Sequence, residues 1–167
     1  LAGVDIDIIG KALKQFNGVK HRLQLVGKLD GISFINDSKA TNPDSSLVAI
    51  QSMTSPTILI LGGSDKGISF LDFFKKVKEY DRIIKYIVVC GATKQKMLAD
   101  IKTAGLQDIT IEAGDFKDAF YKSVETALRI KPCNILLSPA CASFDEFINF
   151  EARGDRFIEL AKSIGAN

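Results

Sequence analysis

Apolar positions along this chain come in two rhythms. Short continuous runs such as Ile58-Leu-Ile-Leu61 and Ile87-Val-Val-Cys90 alternate with longer stretches where apolar residues recur every three or four positions. The runs read as strands covered on both faces, the stretches as amphipathic helices. In chain order the pattern predicts a helix over Asp5–Phe16, ended by Asn17-Gly18, then strands over Leu23–Leu29 and Ile32–Ile35. Asp30-Gly31 between those strands is a hairpin signal. Next come a helix over Asp44–Met53, a strand over Thr57–Leu61, a helix over Leu71–Tyr80 and a strand over Tyr86–Cys90. A helix over Lys94–Ala104, a strand over Asp108–Glu112, a helix over Phe116–Leu128, a strand over Asn134–Ser138 and a last helix over Phe144–Ile164 complete it. An antiparallel hairpin followed by alternating helices and strands implies an α/β fold. We expect a Rossmann-like, doubly wound, mostly parallel sheet of about six strands flanked by helices.

In such sheets ligands bind beyond the carboxyl ends of the strands. Three of those ends carry unusual chemistry. Asn36-Asp-Ser-Lys-Ala-Thr-Asn42 leaves the second strand and meets Pro43. Asn42 suits the N-cap of the following helix, and Pro43 its first position, where no amide donor is lost. Asp37, Lys39 and Thr41 alternate, so an extended backbone would turn all three to one side. Gly62-Gly-Ser-Asp-Lys-Gly67 leaves the third strand; its glycines let amides approach an anion and Lys66 supplies a counter-charge. It lacks the spacing of a Walker A loop. Ser138-Pro-Ala-Cys-Ala-Ser143 leaves the last strand, with Ser143 as the expected cap of a helix starting at Phe144. That helix shows an apolar stripe of Phe144, Phe147, Ile148, Gly154, Phe157, Ile158 and Ala161. Glu151 falls inside the stripe and would need a partner such as Arg22, Arg153 or a backbone amide. Cys90-Gly-Ala-Thr93 reads as an ordinary turn and cap.

Composition narrows the class. The chain has 167 residues, 46% apolar and 25% charged, which suits one globular domain with a core. A net charge of +2 gives no electrostatic case for nucleic acid or a membrane surface, and no apolar run approaches a membrane span of about 20 residues. Cys90, Cys133 and Cys141 sit in or beside apolar runs without metal-ligand spacing, as reduced buried thiols of a cytoplasmic protein would. The sequence opens without Met and inside a helical pattern, so Asp5–Phe16 reads as the tail of an upstream domain. His21-Arg22 would then lie at a hinge beside a cleft. Cys141 as a nucleophile lacks a nearby base, since the single histidine, His21, is far off in sequence.

The order His21-Arg22, Asn36-Asp-Ser-Lys-Ala-Thr-Asn42, Leu61-Gly-Gly-x-x-Lys66, Leu137-Ser-Pro-Ala-Cys-Ala-Ser-Phe-Asp-x-Phe147 and Phe150-Glu-x-Arg-Gly-x-x-Phe157 resembles the C-terminal domain of the Mur ligases. Within that family it is similar to the members that add D-glutamate. The resemblance implies residues 1–20 as the end of a central ATP-binding domain plus hinge, and residues 21–167 as the C-terminal domain. It implies a cytoplasmic, monomeric ligase of peptidoglycan synthesis that uses ATP and Mg²⁺, the metal being held by the central domain. The carboxylate of UDP-N-acetylmuramoyl-L-alanine becomes an acyl phosphate, which the amine of D-glutamate attacks. It also implies Thr41, Lys66, Ser143 and the backbone at Phe150 on the D-glutamate carboxylates, and Lys39 near the transferring phosphate. Arg22 and Asp37 would be nucleotide contacts and His21 a catalytic positioning residue; no residue of this chain is expected to hold a metal. Gly-Gly-Ser-Asp-Lys departs from the family's common Gly-Gly-Asp-Gly-Lys, which leaves the part of Asp65 open. The competing class is a free-standing Rossmann-like module that binds a small dicarboxylate or a nucleotide.

Overall fold

The computed structural model describes residues 3–16 and 18–167. Asn17, half of the expected stop of the first helix, lies outside them. Helix α1, Ile6–Gln15, starts on an Asp5 cap whose side chain accepts from the Asp7 amide. Strands β1, Gln24–Leu29, and β2, Ile32–Asn36, form the expected antiparallel hairpin. Asp30 and Gly31 both take positive φ there, 47° and 82°, as a two-residue turn with matching twist requires. Then follow α2 (Pro43–Gln51), β3 (Thr57–Gly62), α3 (Leu71–Lys78), β4 (Ile84–Cys90), α4 (Lys94–Ala104), β5 (Thr110–Glu112), α5 (Phe116–Ile130), β6 (Cys133–Leu137) and α6 (Phe150–Ser163).

The sheet has six strands in the order β1-β2-β6-β3-β4-β5, every pair except β1–β2 being parallel. Strand residues alternate between two cores. Phe34, Ile58, Ile60, Val88, Ile135 and Leu137 pack with Phe116, Phe120 and Phe157 of α5 and α6. Leu59, Leu61, Ile87, Val89 and Leu136 pack with Ile50, Phe74, Met97 and Ile101 of α2, α3 and α4. Each face is therefore covered, which explains why β3 is buried along its whole length and carries no polar alternation.

Two expectations about the last helix fail. It begins at Phe150 rather than Phe144, and its cap is Asn149, whose side chain accepts from the Ala152 amide at 2.7 Å, not Ser143. Residues 144–149 form an irregular segment, with Phe144 and Ile148 at 73% and 83% exposure instead of lining a stripe. Glu151 is exposed, so it needs no buried partner; the buried charge of this helix is Arg153. β5 is also shorter than expected, because Gln107–Ile109 makes a 3₁₀ turn first.

Candidate functional site

β2, β6 and β3 are neighbours, so the three unusual strand ends lie side by side at one end of the sheet. Backbone bonds stitch them together. The Gly62 amide donates to the Pro139 carbonyl at 2.9 Å and the Ser64 amide to the Ala142 carbonyl at 2.9 Å. Lys66 Nζ donates to the Thr41 carbonyl at 3.2 Å, which joins the β3 loop to the β2 loop. The Lys39 ammonium lies 5.7 Å from the centroid of the Phe150 ring, within cation–π range. Ser38 Oγ donates to the Phe150 carbonyl at 2.8 Å, and Ser143 is buried at the end of the β6 loop. The structure thus gathers Lys39, Thr41, Lys66, Ser143 and Phe150 from four segments. Among the described residues neither Lys39 nor Lys66 enters an ion pair.

The β2 loop is not extended. The Ala40 amide bonds back to the Asp37 carbonyl at 2.9 Å, and the turn so formed sends Asp37 inward and Lys39 outward. The expectation that Asp37, Lys39 and Thr41 share one side is therefore corrected. Asp37 Oδ2 accepts from the Ser138 hydroxyl at 2.8 Å and Oδ1 from the Leu23 amide at 3.2 Å. Burial raises its carboxyl above the ordinary value; those two bonds and the Arg22 charge pull the other way. Each of its oxygens keeps a further acceptor position, but at 2% exposure a ribose hydroxyl would reach it only if the turn above it opened. Its visible effect is to hold the His21–Leu23 turn, where His21 and Leu23 take left-handed φ of 62° and 44°. Non-glycine residues adopt that region only where the surroundings fix them. Ala140 in the β6 loop, at 59°, is a third such residue at the site. Arg22 itself is exposed.

His21 is 2% exposed. The Ser38 amide donates to Asn36 Oδ1 at 3.1 Å, which fixes the Asn36 amide orientation. Asn36 Nδ2 then donates to both the Gly154 carbonyl (3.1 Å) and His21 Nδ1 (3.0 Å). His21 Nδ1 is therefore an acceptor, and the imidazole proton sits on Nε2. Nε2 lies 3.8 Å from Asp155 Oδ1, a carboxylate already paired with Lys20 at 2.7 Å. Burial lowers the His21 pKa; Asp155 and Glu151 raise it by less, and Lys20 and Lys39 lower it further. The expected outcome is a ring that is neutral at pH 7. With one histidine in the chain, ¹⁵N-edited NMR will read it unambiguously: an Nε2–H tautomer with a midpoint below 6.5. The unfolded ring protonates at its ordinary value, so stability falls as pH drops from about 6.5 to the folded midpoint. A midpoint at or above 6.5 would contradict this packing.

Sequence reasoning names Arg153 only as a candidate partner for Glu151 and misses its part in uniting the site. Arg153, 2% exposed, donates through Nε to Ser38 Oγ (3.0 Å) and through Nη2 to the carbonyls of Ser38 (2.9 Å) and Cys141 (3.0 Å). Nη1 reaches the Ala142 carbonyl at 3.2 Å. One planar fork thereby locks the β2 loop to the β6 loop. Burial pulls its pKa down to about 10, which leaves it cationic at neutral pH. Thr93, expected as an ordinary cap, instead accepts from the Gly63 amide at 3.2 Å and so supports the glycine loop. Asp65 turns away from Lys66: it accepts from the Gly67 amide (2.8 Å) and pairs with Lys96 (3.2 Å). Cys90 and Cys141 are buried thiols pushed up to about 12 and 11 by burial, unsuited to nucleophilic work.

A cavity of about 350 Å³ opens next to the site between α2 and the start of α3, with Asp44 and Asp72 in its wall. These two carboxylates outnumber the one ammonium in the wall, Lys76, which disfavours an anionic ligand there. Among the described residues no three His, Cys, Asp or Glu side chains gather where they would hold a metal ion, and no helix is long and apolar enough to cross a membrane.

Residues 21–141 match the family model described as Mur ligase, glutamate ligase domain. The chain is 42% identical over 159 residues to the UDP-N-acetylmuramoylalanine–D-glutamate ligase of Caldanaerobacter subterraneus subsp. tengcongensis, covering 94% of this chain and 34% of that protein. It is 43% identical over 166 residues to the ligase of the same name from Bacteroides thetaiotaomicron, covering 98% and 36%. The chain thus spans about a third of the length of the curated relatives it matches. Two solved structures share the fold. MurF from Acinetobacter baumannii has a TM-score of 0.65 at 17% identity, covering 94% of this chain and 34% of that one. Mycobacterium tuberculosis folylpolyglutamate synthase complexed with ADP scores 0.68 at 11%, covering 95% and 36%. The motifs, the sheet and these matches agree: the chain belongs to the Mur ligase family, as the C-terminal domain of the type found in UDP-N-acetylmuramoylalanine–D-glutamate ligases.

Proposed function

We propose that this chain is the substrate-closing third of an ATP-dependent ligase that joins D-glutamate to UDP-N-acetylmuramoyl-L-alanine in peptidoglycan synthesis. The observation that carries the reading is the pair of lysines, Lys39 and Lys66, without ion-pair partners among the described residues, beside Thr41, Ser143 and the start of α6. A dicarboxylate wants this combination of cation, hydroxyl and helix-entrance amide. Lys66, Thr41, Ser143 and the Phe150 amide bind and orient D-glutamate. Lys39, exposed and close to Phe150, faces the negative charge that develops when the acyl carbon is attacked. Arg22, exposed at the turn, takes nucleotide phosphate; Asp37 and His21 set the geometry of that turn. When bound, ATP supplies the phosphoryl group that activates the carboxylate of the UDP-linked substrate. Mg²⁺ and most phosphate contacts come from the upstream part of the enzyme, and this domain positions and covers the reactants.

Residues 1–20 fit the end of the upstream domain and its hinge. The family match begins at residue 21, and Ile6, Leu13 and Phe16 of the first segment are 77%, 68% and 64% exposed, as a face made for another partner would be. We take the complete enzyme to be a cytoplasmic monomer. The test is Lys66→Ala in the complete ligase. Loss of a charged hydrogen bond to a carboxylate should raise the KM for D-glutamate by about 10- to 100-fold while leaving the KM for ATP near its original value. An unchanged KM for D-glutamate would remove Lys66 from the substrate site and the proposal with it.

A further inference from the structure

The irregular segment from Ser143 to Phe150 has a substrate residue at each end, and its middle is fastened in an unusual way. Two consecutive acidic side chains reach the entrances of two different helices. Asp145 Oδ2 accepts from the Ala92 amide at 3.0 Å, just before α4. Glu146 Oε2 accepts from the Phe116 amide, the first residue of α5, at 3.1 Å. Phe147 follows with an edge-on contact to the Phe116 ring, centroids 5.1 Å apart, and its amide closes a turn on the Ser143 carbonyl at 2.8 Å. The end of β4 is shaped around the first carboxylate. At Gly91, where φ is +73°, a Cβ would stand 2.4 Å from Asp145 Oδ2.

An irregular surface segment ordinarily leaves its acids in water and tucks its large apolar residues inside. Here Asp145 and Glu146, although exposed, bond back to the domain while Phe144 and Ile148 project outward. Carboxylates at helix entrances are favoured by the free amides and the local dipole. The segment is thus held largely by charge, with Phe147 as its one apolar anchor.

We infer that Asp145 and Glu146 are positioning residues for the amino-acid substrate: they staple the 143–150 segment onto α4 and α5 and fix the path between Ser143 and the Phe150 amide. The inference rests on the D-glutamate reading above. Neither side chain touches the ligand, so their removal should act on KM alone.

In the complete ligase, the double variant Asp145→Ala/Glu146→Ala is expected to raise the KM for D-glutamate by about tenfold, on the scale of two lost hydrogen bonds. kcat and the KM for ATP should stay within about twofold if the chemistry is untouched. Asp145→Asn/Glu146→Gln, which keeps an acceptor oxygen at both places, should recover most of the affinity. Lys66→Ala is measured alongside. A normal KM for D-glutamate in the double alanine variant, with a raised one in Lys66→Ala, would overturn the staple and leave the substrate reading standing. Normal values in both would overturn the two together. A parallel loss of kcat, both KM values and thermal stability would reduce the pair to general fold support and also defeat the inference.

Discussion

Arg153→Leu should destabilise the domain by about 4 kcal/mol, since removing a buried hydrogen-bonding partner strands each acceptor at roughly 1–3 kcal/mol. Left without a partner would be the carbonyls of Ser38 and Cys141; the Ala142 carbonyl keeps the Ser64 amide and the Ser38 hydroxyl keeps its bond to the Phe150 carbonyl. The estimate stays below the top of their simple sum for two reasons. Neighbouring losses are not additive, and leucine spares the domain a desolvated cation. In a domain of this size the melting temperature would fall by about 8–16 °C. Arg153→Lys keeps the charge but not the fork, and one ammonium cannot serve three carbonyls on two loops; about half the loss is expected. Melting of purified variants decides the matter. A leucine variant within a couple of degrees of the parent would mean that the guanidinium is replaceable by water.

Gly154→Ala is the second large effect. A Cβ at this position would stand 2.2 Å from His21 Nδ1 and 2.9 Å from two ring carbons. The ring has no easy retreat, because Asn36 Nδ2 holds Nδ1 and the ring is almost wholly buried. Overpacking of a tight interior costs up to about 3 kcal/mol, and we expect the upper end. A double-mutant cycle separates this clash from any helix effect, since alanine is itself the better helix former. His21→Ala in the Gly154→Ala background should cost much less than His21→Ala alone. Additive effects would show that the two positions do not meet.

Most of the architecture was readable from the sequence because each strand is a short apolar run closed by turn chemistry, and both rhythms agree with the layers they form. The last helix misled for a physical reason. Phe144, Phe147 and Ile148 sit at helical spacing behind a serine, which mimics a capped amphipathic start. The true start carries its own signal: Asn149, three residues before Ala152, caps better than Ser143 because it precedes an unbroken helical stretch. Residues that would meet the substrate stood out in the sequence as exceptions to ordinary turn composition. Their supports did not. Asn36, Ser38 and Arg153 act through partners more than 100 positions apart, such as Ser38 with Phe150 and Asn36 with Gly154, and no local pattern marks such a bond. Gly154, Phe157 and Ala161 of the expected stripe are buried, but the stripe passes over Arg153, whose partners lie on other loops, and takes in Glu151, which the later start leaves in an exposed first turn.

The place of β6 in the sheet has a consequence for how this domain comes into being. It is the last strand in the chain, yet it lies between β2 and β3, which do not pair with each other. On a ribosome the hairpin β1–β2 and the unit β3–β4–β5 therefore emerge as two separate pieces with exposed inner edges. They become one sheet only when residues 133–137 arrive. The same late segment, with α6 behind it, brings Ser143, Phe150 and the Arg153 fork. A nascent chain stopped before residue 133 would hold neither a continuous sheet nor the proposed substrate site. The exposed edges of such a chain are where chaperones and misassembly would compete.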